Sequence, residues 1–354
     1  MTRRKVLAAL AGVPVLGLFA GLSHSASGNV YYRGPPSDHF DGELFFNPGG
    51  EGPRGFRDFL RWQLGERRDA WPERYPSPFP FDRPPPRVGE GDIRIVMVGH
   101  ASFLIQAGGL NILTDPVWSE RASPFGFAGP RRANPPGIRF DDLPPIDAVL
   151  VSHNHYDHLD TATLGRLWQR HRPAIVTPLG NDAIIRAERE GIAVHAADWR
   201  ETVRVGASGR VTIEPAHHWS ARWTNDRNHA LWGSFVIETE GGTLYFAGDT
   251  GFGGGTHFRE IAARHSRIDV ALLPIGAYEP RWFMAPQHMN PDDAVQAFGI
   301  LGAGQALGYH WGTFQLTNEG VDEPPADLAA ALARRDVPPE RFIAVRPGQV
   351  WTKA

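Results

Sequence analysis

The sequence contains no cysteine. Disulfide bonds and thiolate metal sites are therefore excluded, and any metal must be held by histidine and carboxylate side chains. Charge is also nearly balanced, with a formal net charge of -3 at pH 7. The excess of basic residues that is typical of nucleic-acid-binding proteins is absent, so we expect no nucleic-acid partner. No internal repeat is recognisable, and 354 residues are compatible with one large α/β domain.

Residues 1–28 have the layout of a signal peptide. Arg3, Arg4 and Lys5 precede the uncharged stretch VLAALAGVPVLGLFAGL, which the small residues of SHSASG follow. The paired arginines resemble a twin-arginine (Tat) signal, which exports folded proteins and suits a metalloenzyme loaded before export. An uncleaved membrane anchor is the alternative, because the apolar run is near the lower length limit for a span. We expect an exported protein that is periplasmic or membrane-associated.

The rest of the chain divides by composition into two segments. Residues 29–90 are rich in proline, glycine and aromatic side chains and contain one candidate helix, RGFRDFLRWQLGER. We predict an irregular arm that wraps the main domain, because its aromatic content argues against free disorder. Residues 91–354 instead alternate short β-rich runs with helical patterns, such as DAVLVSH and TATLGRLWQRH. This order predicts an α/β domain with two series of strands, each followed by helices.

The segment SHNHYDHLD, residues 152–160, concentrates side chains that bind metals. His153 and His155 are two residues apart after a buried strand, so in extended backbone both imidazoles point the same way and can meet one metal. Asp157 and His158 follow where the chain turns toward the next helix, and they can serve a second metal. The alternative is a polar loop with several histidines by chance, which this spacing disfavours.

Further ligand-type residues end later strands. Asp249 follows the apolar run TLYFAG, where a buried carboxylate is costly without a cation, and it can bridge two metals. His217 and His218 end another strand, and only one of them should be a ligand because adjacent strand residues face opposite sides. His310 ends the run GQALGY. Taken singly, each is more often a structural or turn residue, but all lie at strand ends, where α/β proteins place their sites.

The pattern H-x-H-x-D-H, followed by His, Asp and His at successive strand ends, resembles the metallo-β-lactamase superfamily. Longer stretches resemble, more narrowly, the phospholipases D that hydrolyse N-acyl phosphatidylethanolamine; among them are GHASFLI, LTDPVWSERASP, LLPIGAYEPRWFM, QHMNPDDAV and HWGTFQLTNE. This similarity runs from about residue 98 to residue 320. It implies a four-layer αββα sandwich with a dinuclear site, usually zinc, at one edge, here preceded by the irregular N-terminal arm.

The resemblance implies a role for each ligand. One metal would be held by His153, His155 and His218, the other by Asp157, His158 and His310, and Asp249 would bridge them. The family's ligand directly precedes a tryptophan, which selects His218 over His217. His100, in GHAS, is expected to orient a ligand. The expected cofactor is two Zn²⁺, with other divalent metals or iron as alternatives.

The implied activity is phospholipase D-type hydrolysis of N-acyl phosphatidylethanolamine or a related phospholipid to N-acylethanolamine and phosphatidic acid. Asp157, Asp249 and His288 are the expected catalytic residues, with His288 donating a hydrogen bond to the phosphate or leaving group. The expected substrate-binding residues lie in QHMNP and AYEPRWFM and are Gln287, His288, Tyr278, Arg281 and Trp282. If exposed, the aromatic residues would form an acyl-chain surface or a membrane footing; if buried, they belong to the core.

Other functions compete with this hypothesis. A sugar-phosphate lactonase-like hydrolase would use the same ligands with a narrow, polar pocket. A di-iron redox protein is less favoured, because no flavodoxin-like second domain is visible in the sequence. A metal-dependent binding protein without turnover is the last alternative. We expect a phospholipid substrate and membrane-surface association, and the resemblance is compatible with a homodimer.

Overall fold

A computed structural model describes residues 28–65 and 67–353. The predicted signal segment therefore lies outside the described residues, apart from Gly28. Among the described residues, no helix has the length and apolar character that a membrane crossing needs.

The described chain forms two seven-stranded sheets. The first seven strands are β1 (Ile93–Gly99), β2 (Ser102–Ala107), β3 (Leu110–Thr114), β4 (Ala148–Leu150), β5 (Ala174–Pro178), β6 (Val194–Ala197) and β7 (Thr202–Val205). The others are β8 (Gly209–Glu214), β9 (Ser234–Thr239), β10 (Gly242–Phe246), β11 (Val270–Pro274), β12 (Gln305–Tyr309), β13 (Phe342–Ala344) and β14 (Val350–Thr352). One sheet has the order β14-β1-β2-β3-β4-β5-β6 and the other β13-β12-β11-β10-β9-β8-β7.

The two sheets share one pattern of strand directions. In the first, β1, β2 and β3 are antiparallel, and β3 to β6 are parallel. In the second, β7 to β10 are antiparallel, and β10 to β13 are parallel. Parallel neighbours end at the same edge of a sheet, so the loops after β4, β10 and β12 can contribute to one site.

In the described chain, one helix lies in the arm, and the others follow strands and mostly cover the sheets. The helices are α1 (Phe56–Gly65), α2 (Thr161–His171), α3 (Asn181–Glu188), α4 (Thr256–Arg264), α5 (Arg281–Met284), α6 (Pro291–Leu301) and α7 (Glu323–Arg334). Local sequence explains the starts of two of them. At the start of α6, the side chains of Asn290 and Asp293 each accept a hydrogen bond from the other's backbone N–H. Pro291 occupies the first helical position, where the backbone N–H has no partner within the helix. The Asp160 carboxylate accepts a hydrogen bond from Thr163 N at the start of α2.

Three layers of apolar contact hold the sandwich together. Between the sheets, Phe103 and Ile105 pack in one cluster with Phe235, Phe246 and Tyr309. Each fully buried side chain of this size contributes roughly 2–3 kcal/mol through loss of contact with water. This inter-sheet core fixes how the loops at the sheet edges face one another.

The outer faces of both sheets are covered by helices. On the first sheet, Leu164 and Leu167 of α2 and Ile185 of α3 pack in the cluster that holds Val98 and Val149. On the second, α4, α6 and α7 provide the cover through Phe258, Phe298 and Leu328, among others. The predicted four-layer αββα sandwich is therefore confirmed.

Residues 28–90 are largely irregular and lie along the sandwich. Phe40 and Phe45 are buried against Leu231 and Trp232. Farther along, Phe59 and Trp62 of α1 form a cluster with Met284, and Phe283 packs against it. The Asn47 side chain donates a 2.9 Å hydrogen bond to the carbonyl of His218. The arm thus contacts the main domain at the candidate metal ligands.

A buried histidine ties this arm to the loop after β6. His39 Nε2 lies 2.7 Å from Asp198 Oδ1, and its Nδ1 lies 2.5 Å from Asp38 Oδ1. Its ring stacks on Trp199 with centroids 4.4 Å apart. Burial disfavours the charged imidazolium, but the carboxylates of Asp198 and Asp38 outweigh burial and raise the pKa of His39. Protonated His39 therefore holds the arm most firmly.

This pKa shift predicts pH-dependent stability. A raised folded-state pKa contributes stability that is complete below the unfolded pKa of about 6.5 and is lost as pH rises through the folded value. Wild type should exceed His39→Gln in unfolding free energy by about 1.5 kcal/mol at about pH 6, and less at about pH 9. Urea denaturation across this range measures the difference, with exposed His195→Gln as control. A difference that stays constant with pH would contradict the prediction.

Candidate active site

The candidate ligands lie in loops that follow strands. His153 and His155 come after β4, Asp249 after β10, and His310 directly after β12, while His218 follows β8. All five side chains are buried. The structure brings these residues together although almost 160 positions separate the first from the last.

The first ligand group contains His153, His155 and His218, whose ligand atoms lie within 4.8 Å of one another. His155 Nδ1 is 2.9 Å from His153 Nε2 and 3.2 Å from His218 Nε2. His217 lies outside the group, because its ring stacks on His257 with centroids 4.5 Å apart. His218, and not His217, therefore lies with His153 and His155.

The second group contains Asp157, His158 and His310, together with His100. His158 Nε2 lies 3.4 Å from Asp157 Oδ2 and 3.3 Å from His310 Nε2. His310 Nε2 lies 3.6 Å from the same carboxylate oxygen. His100 Nε2 lies 2.9 Å from Asp157 Oδ2, so it is placed to orient that carboxylate.

Asp249 stands between the two groups. Its Oδ2 lies 3.8 Å from His218 Nε2, in the first group, and 3.2 Å from His158 Nε2, in the second. Its Oδ1 lies 3.1 Å from His310 Nε2. This carboxylate therefore contacts side chains of both groups, as a bridging ligand would.

Behind the ligands, Asp115 fixes the orientation of His158. Asp115 Oδ2 lies 2.7 Å from His158 Nδ1. The same carboxylate accepts hydrogen bonds from Ser152 N at 2.7 Å and Ser152 Oγ at 2.6 Å. A carboxylate that holds the far nitrogen of an imidazole leaves the other nitrogen for a metal. The sequence prediction missed Asp115, although it ends the apolar run LNILT as Asp249 ends its own run.

The backbone at the site is strained. His100, Asp115 and His310 have positive φ angles of 58°, 31° and 71°. This left-handed region is uncommon for residues with a Cβ and costs on the order of 1 kcal/mol or more at each position. His310 N also donates a 3.1 Å hydrogen bond to His100 O. The fold holds these side chains in place at a cost in stability.

Burial and charge separate the ligands into two electrostatic classes. Burial lowers the pKa of His155 and of His218 to about 3, so both rings are neutral at pH 7 and offer lone pairs. Burial opposes protonation of His158 as well, but the carboxylates of Asp249, Asp157 and Asp115 raise its pKa well above the ordinary value. This carboxylate-rich part of the cluster favours positive charge.

The donor set fits divalent metal ions. His155 Nε2 and Asp157 Oδ1 are buried and have no hydrogen-bond partner among the described residues. Buried polar atoms without partners are costly, and a cation satisfies them. Imidazole and carboxylate are the ligands that zinc, iron and related metals take in cysteine-free sites. The buried His/Asp cluster is thus able to bind metal.

A pocket opens directly onto the cluster. Its polar floor includes His155, Asp157, Asp249, Gln287 and His288. Its walls are mostly apolar and include Pro53, Phe59, Trp62, Trp219, Ala221, Trp223, Ala277, Phe283, Met284 and Leu316. Such a pocket suits a ligand with a polar reacting group and a large apolar part.

Two of the predicted substrate-binding residues line this pocket. Gln287 is buried, and its Nε2 has no hydrogen-bond partner among the described residues. His288 Nδ1 lies 3.9 Å from Asp249 Oδ2. Both side chains therefore stand beside the candidate metal ligands.

The other three predicted substrate-binding residues do not line this pocket. Tyr278 is buried and donates a 2.6 Å hydrogen bond to Asp327 Oδ2. Arg281 donates to His288 O at 2.9 Å and to Asp293 Oδ2 at 2.8 Å, so it supports the backbone of His288. Trp282 is half-buried, and the Arg61 guanidinium lies 4.5 Å from the centre of its ring. Their neighbours Phe283 and Met284 line the wall instead.

The sequence prediction missed a wall that the arm provides. Phe59 and Trp62 of α1 line the pocket, and the Trp62 ring lies 4.9 Å from that of Phe283. Their spacing of three positions places them on one face of the candidate helix, a signal that the sequence carried. What that face would contact was not visible in the pattern.

Comparison with known proteins identifies the family. Residues 110–311, more than half of the chain, match the family model of the beta-lactamase superfamily domain. The chain belongs to the metallo-β-lactamase superfamily. Among superfamily relatives, it is 37% identical over 273 residues to N-acyl-phosphatidylethanolamine-hydrolyzing phospholipase D 1 of Caenorhabditis elegans, covering 74% of this chain and 76% of that protein.

Two further proteins extend the comparison. A metal-dependent hydrolase of Opitutus terrae is 32% identical over 269 residues, covering 73% of this chain and 98% of that protein. The solved structure of a metallo hydrolase from Ignicoccus hospitalis superposes with a TM-score of 0.55 at 19% identity, covering 74% of this chain and 99% of that one. The fold, the metal-binding cluster and the names of these relatives together support a metal-dependent hydrolase.

Proposed function

We propose that the protein is a dinuclear zinc phosphodiesterase of the phospholipase D type. Its substrate is N-acyl phosphatidylethanolamine or a related phospholipid, and its products are an N-acylethanolamine and phosphatidic acid. The observation that carries the proposal is the pocket, which combines apolar aromatic walls with the His/Asp cluster at its floor. A compact sugar-phosphate lactone would leave those walls unfilled, so they favour a lipid. The phospholipase name of the C. elegans relative supports the same choice.

The proposed zinc ligands are the two groups already described. His153, His155 and His218 would hold one ion, Asp157, His158 and His310 the other, and Asp249 both. When bound, such cations polarise phosphoryl oxygens and lower the pKa of water to about 7.

The chain's own side chains complete the site. Burial lowers the pKa of His288 to about 3, so its ring is neutral and carries one N–H that can donate to the phosphate or the leaving oxygen. The unpartnered Nε2 of Gln287 offers a second donor beside it. The apolar walls exclude water from the lipid chains and hold the phosphodiester over the floor.

Export and membrane contact are part of the proposal. The Tat-like layout of residues 1–28 supports export. Exposed apolar side chains near the pocket support contact with a lipid surface: Leu64 of α1 is 84% exposed, and Trp223, on the pocket wall, is 51% exposed.

The proposal is tested by assaying purified, metal-quantified protein on N-acyl phosphatidylethanolamine in mixed micelles, with mass-spectrometric detection of N-acylethanolamine. We expect product from wild type with about two zinc ions per chain. His155→Ala should lose at least about a thousandfold in rate, because a ligand is removed, while exposed His195→Ala should match wild type. A zinc-loaded wild type that forms no product would refute the phospholipid substrate and favour lactones or small phosphodiesters.

A further inference from the structure

Arginine side chains contribute to the pocket walls, and two of them have structural partners. Arg54 donates to Glu51 Oε2 at 3.1 Å. Arg222 donates to the carbonyls of Asn154 and Leu159, both at 2.9 Å, and so braces the loop that carries the first ligand group. Both guanidinium groups are therefore hydrogen-bonded within the protein.

Arg227 also lines the pocket, but it differs from these two. Among the described residues, the hydrogen bond of its guanidinium is a long one, 3.4 Å to Arg54 O, and no carboxylate pairs with it. Burial alone lowers its pKa to about 10, with no acidic neighbour to offset it. A guanidinium has five N–H donors, and removing it from water without a counter-ion is unfavourable. Arg227 is half-buried, so the free protein holds a pocket-lining cation that no carboxylate of the described residues neutralises.

The position of Arg227 relates it to the candidate metal centre. Its guanidinium carbon lies 4.8 Å from the ring centre of Trp219. On the metal side, the Trp219 ring lies 4.5 Å from the ring of His155, at 67°. The guanidinium and the imidazole of a first-group ligand therefore contact the same indole. The cation lies on the wall next to the floor, where a charged part of a bound molecule would come.

We infer that Arg227 is the anion-recognition residue of the pocket, and that its guanidinium binds a phosphate oxygen of a lipid phosphate. The planar fork of arginine matches phosphate in a bidentate manner. The aromatic walls beside it suit the apolar part of the same molecule. The lipid class rests on the proposed function, whereas the anion is inferred from a pocket-lining guanidinium that no described carboxylate neutralises. The phosphate belongs to either the substrate diester or the product phosphatidate.

Calorimetric titration of the metal-loaded protein with short-chain phosphatidate, and with the neutral diacylglycerol of the same chains, tests the inference. Arg227→Gln should weaken phosphatidate binding at least about tenfold and leave diacylglycerol binding unchanged, because only the charge-assisted contact is lost. Arg227→Lys should be intermediate, since it keeps the charge without the fork. Arg204→Gln, an exposed change on β7, should match wild type.

Three results would overturn the inference. They are undetectable binding of phosphatidate to wild type, unchanged phosphatidate binding by Arg227→Gln, and equal weakening of the binding of both probes. The last result would assign Arg227 to packing on Trp219.

A second experiment measures KM and kcat for short-chain N-acyl phosphatidylethanolamine. A raised KM with little change in kcat places the contact on the substrate diester, and an unchanged KM beside weakened phosphatidate binding places it on the product. Arg227-dependent phosphatidate binding by a protein that hydrolyses no phospholipid would sustain this inference while refuting the proposed function.

Discussion

Asp249→Asn is expected to reduce phosphodiester hydrolysis at least about a thousandfold. Asp249 is the carboxylate that contacts both ligand groups, through His218 and His158. Asparagine keeps the shape but removes the negative charge that would balance two cations. A loss of about 4 kcal/mol in transition-state stabilisation corresponds to a rate reduction of this size. The rate on a chromogenic phosphodiester and the metal content per chain measure the effect.

Glu240→Gln provides a matched control for this variant. Glu240 is an exposed carboxylate in the turn between β9 and β10, the same hairpin that leads to Asp249. It should retain wild-type activity and metal content. Asp249→Asn protein that is folded by circular dichroism and retains both its metal and more than about a tenth of the rate would show that Asp249 does not bridge the ligand groups.

Asp115→Ala is expected to damage stability and metal affinity together. The change leaves Ser152 N and Ser152 Oγ without their buried acceptor and removes the partner of His158 Nδ1. Removing one side of a buried, hydrogen-bonded pair costs about 3–5 kcal/mol. Loss of the group that orients a metal-binding histidine weakens metal affinity about 10- to 100-fold. Urea denaturation of metal-stripped protein and competition with a chelator measure the two effects separately.

Asp115→Asn distinguishes orientation from charge. The amide oxygen can still accept from Ser152 N, so most of the stability should return, whereas the neutral group holds His158 less firmly. We expect metal affinity between those of wild type and Asp115→Ala. Wild-type stability in Asp115→Ala would mean that the buried carboxylate contributes no net stabilisation to this part of the fold.

Local patterns in the sequence predicted the parts of the molecule that depend on them. The apolar run DAVLVSH and the helical pattern TATLGRLWQRH predicted β4 and α2. Strand geometry alone predicted that the side chains of His153 and His155 point the same way. The choice of His218 over His217 came from resemblance, and the structure supplies a physical reason: the rejected ring stacks on His257.

Features that depend on long-range contacts escaped prediction. The short strands β6 and β7 carry exposed residues and little pattern, and pairing with longer neighbours stabilises them. Asp115 received no prediction, because only the fold places it against His158. The aromatic residues of AYEPRWFM could not be divided into core and wall by sequence, because that division depends on where α1 packs.

The arm supplies a part of the pocket wall that is separate from the candidate metal ligands. Phe59 and Trp62 shape the pocket from a segment that belongs to neither sheet, while every candidate metal ligand comes from loops of the sandwich. Under the proposed function, substitutions on the pocket-facing side of α1 therefore alter the fit of an acyl chain and leave the candidate metal ligands in place. On the proposed function, chain-length preference is then set by the arm, separately from the loops that hold the candidate metal ligands.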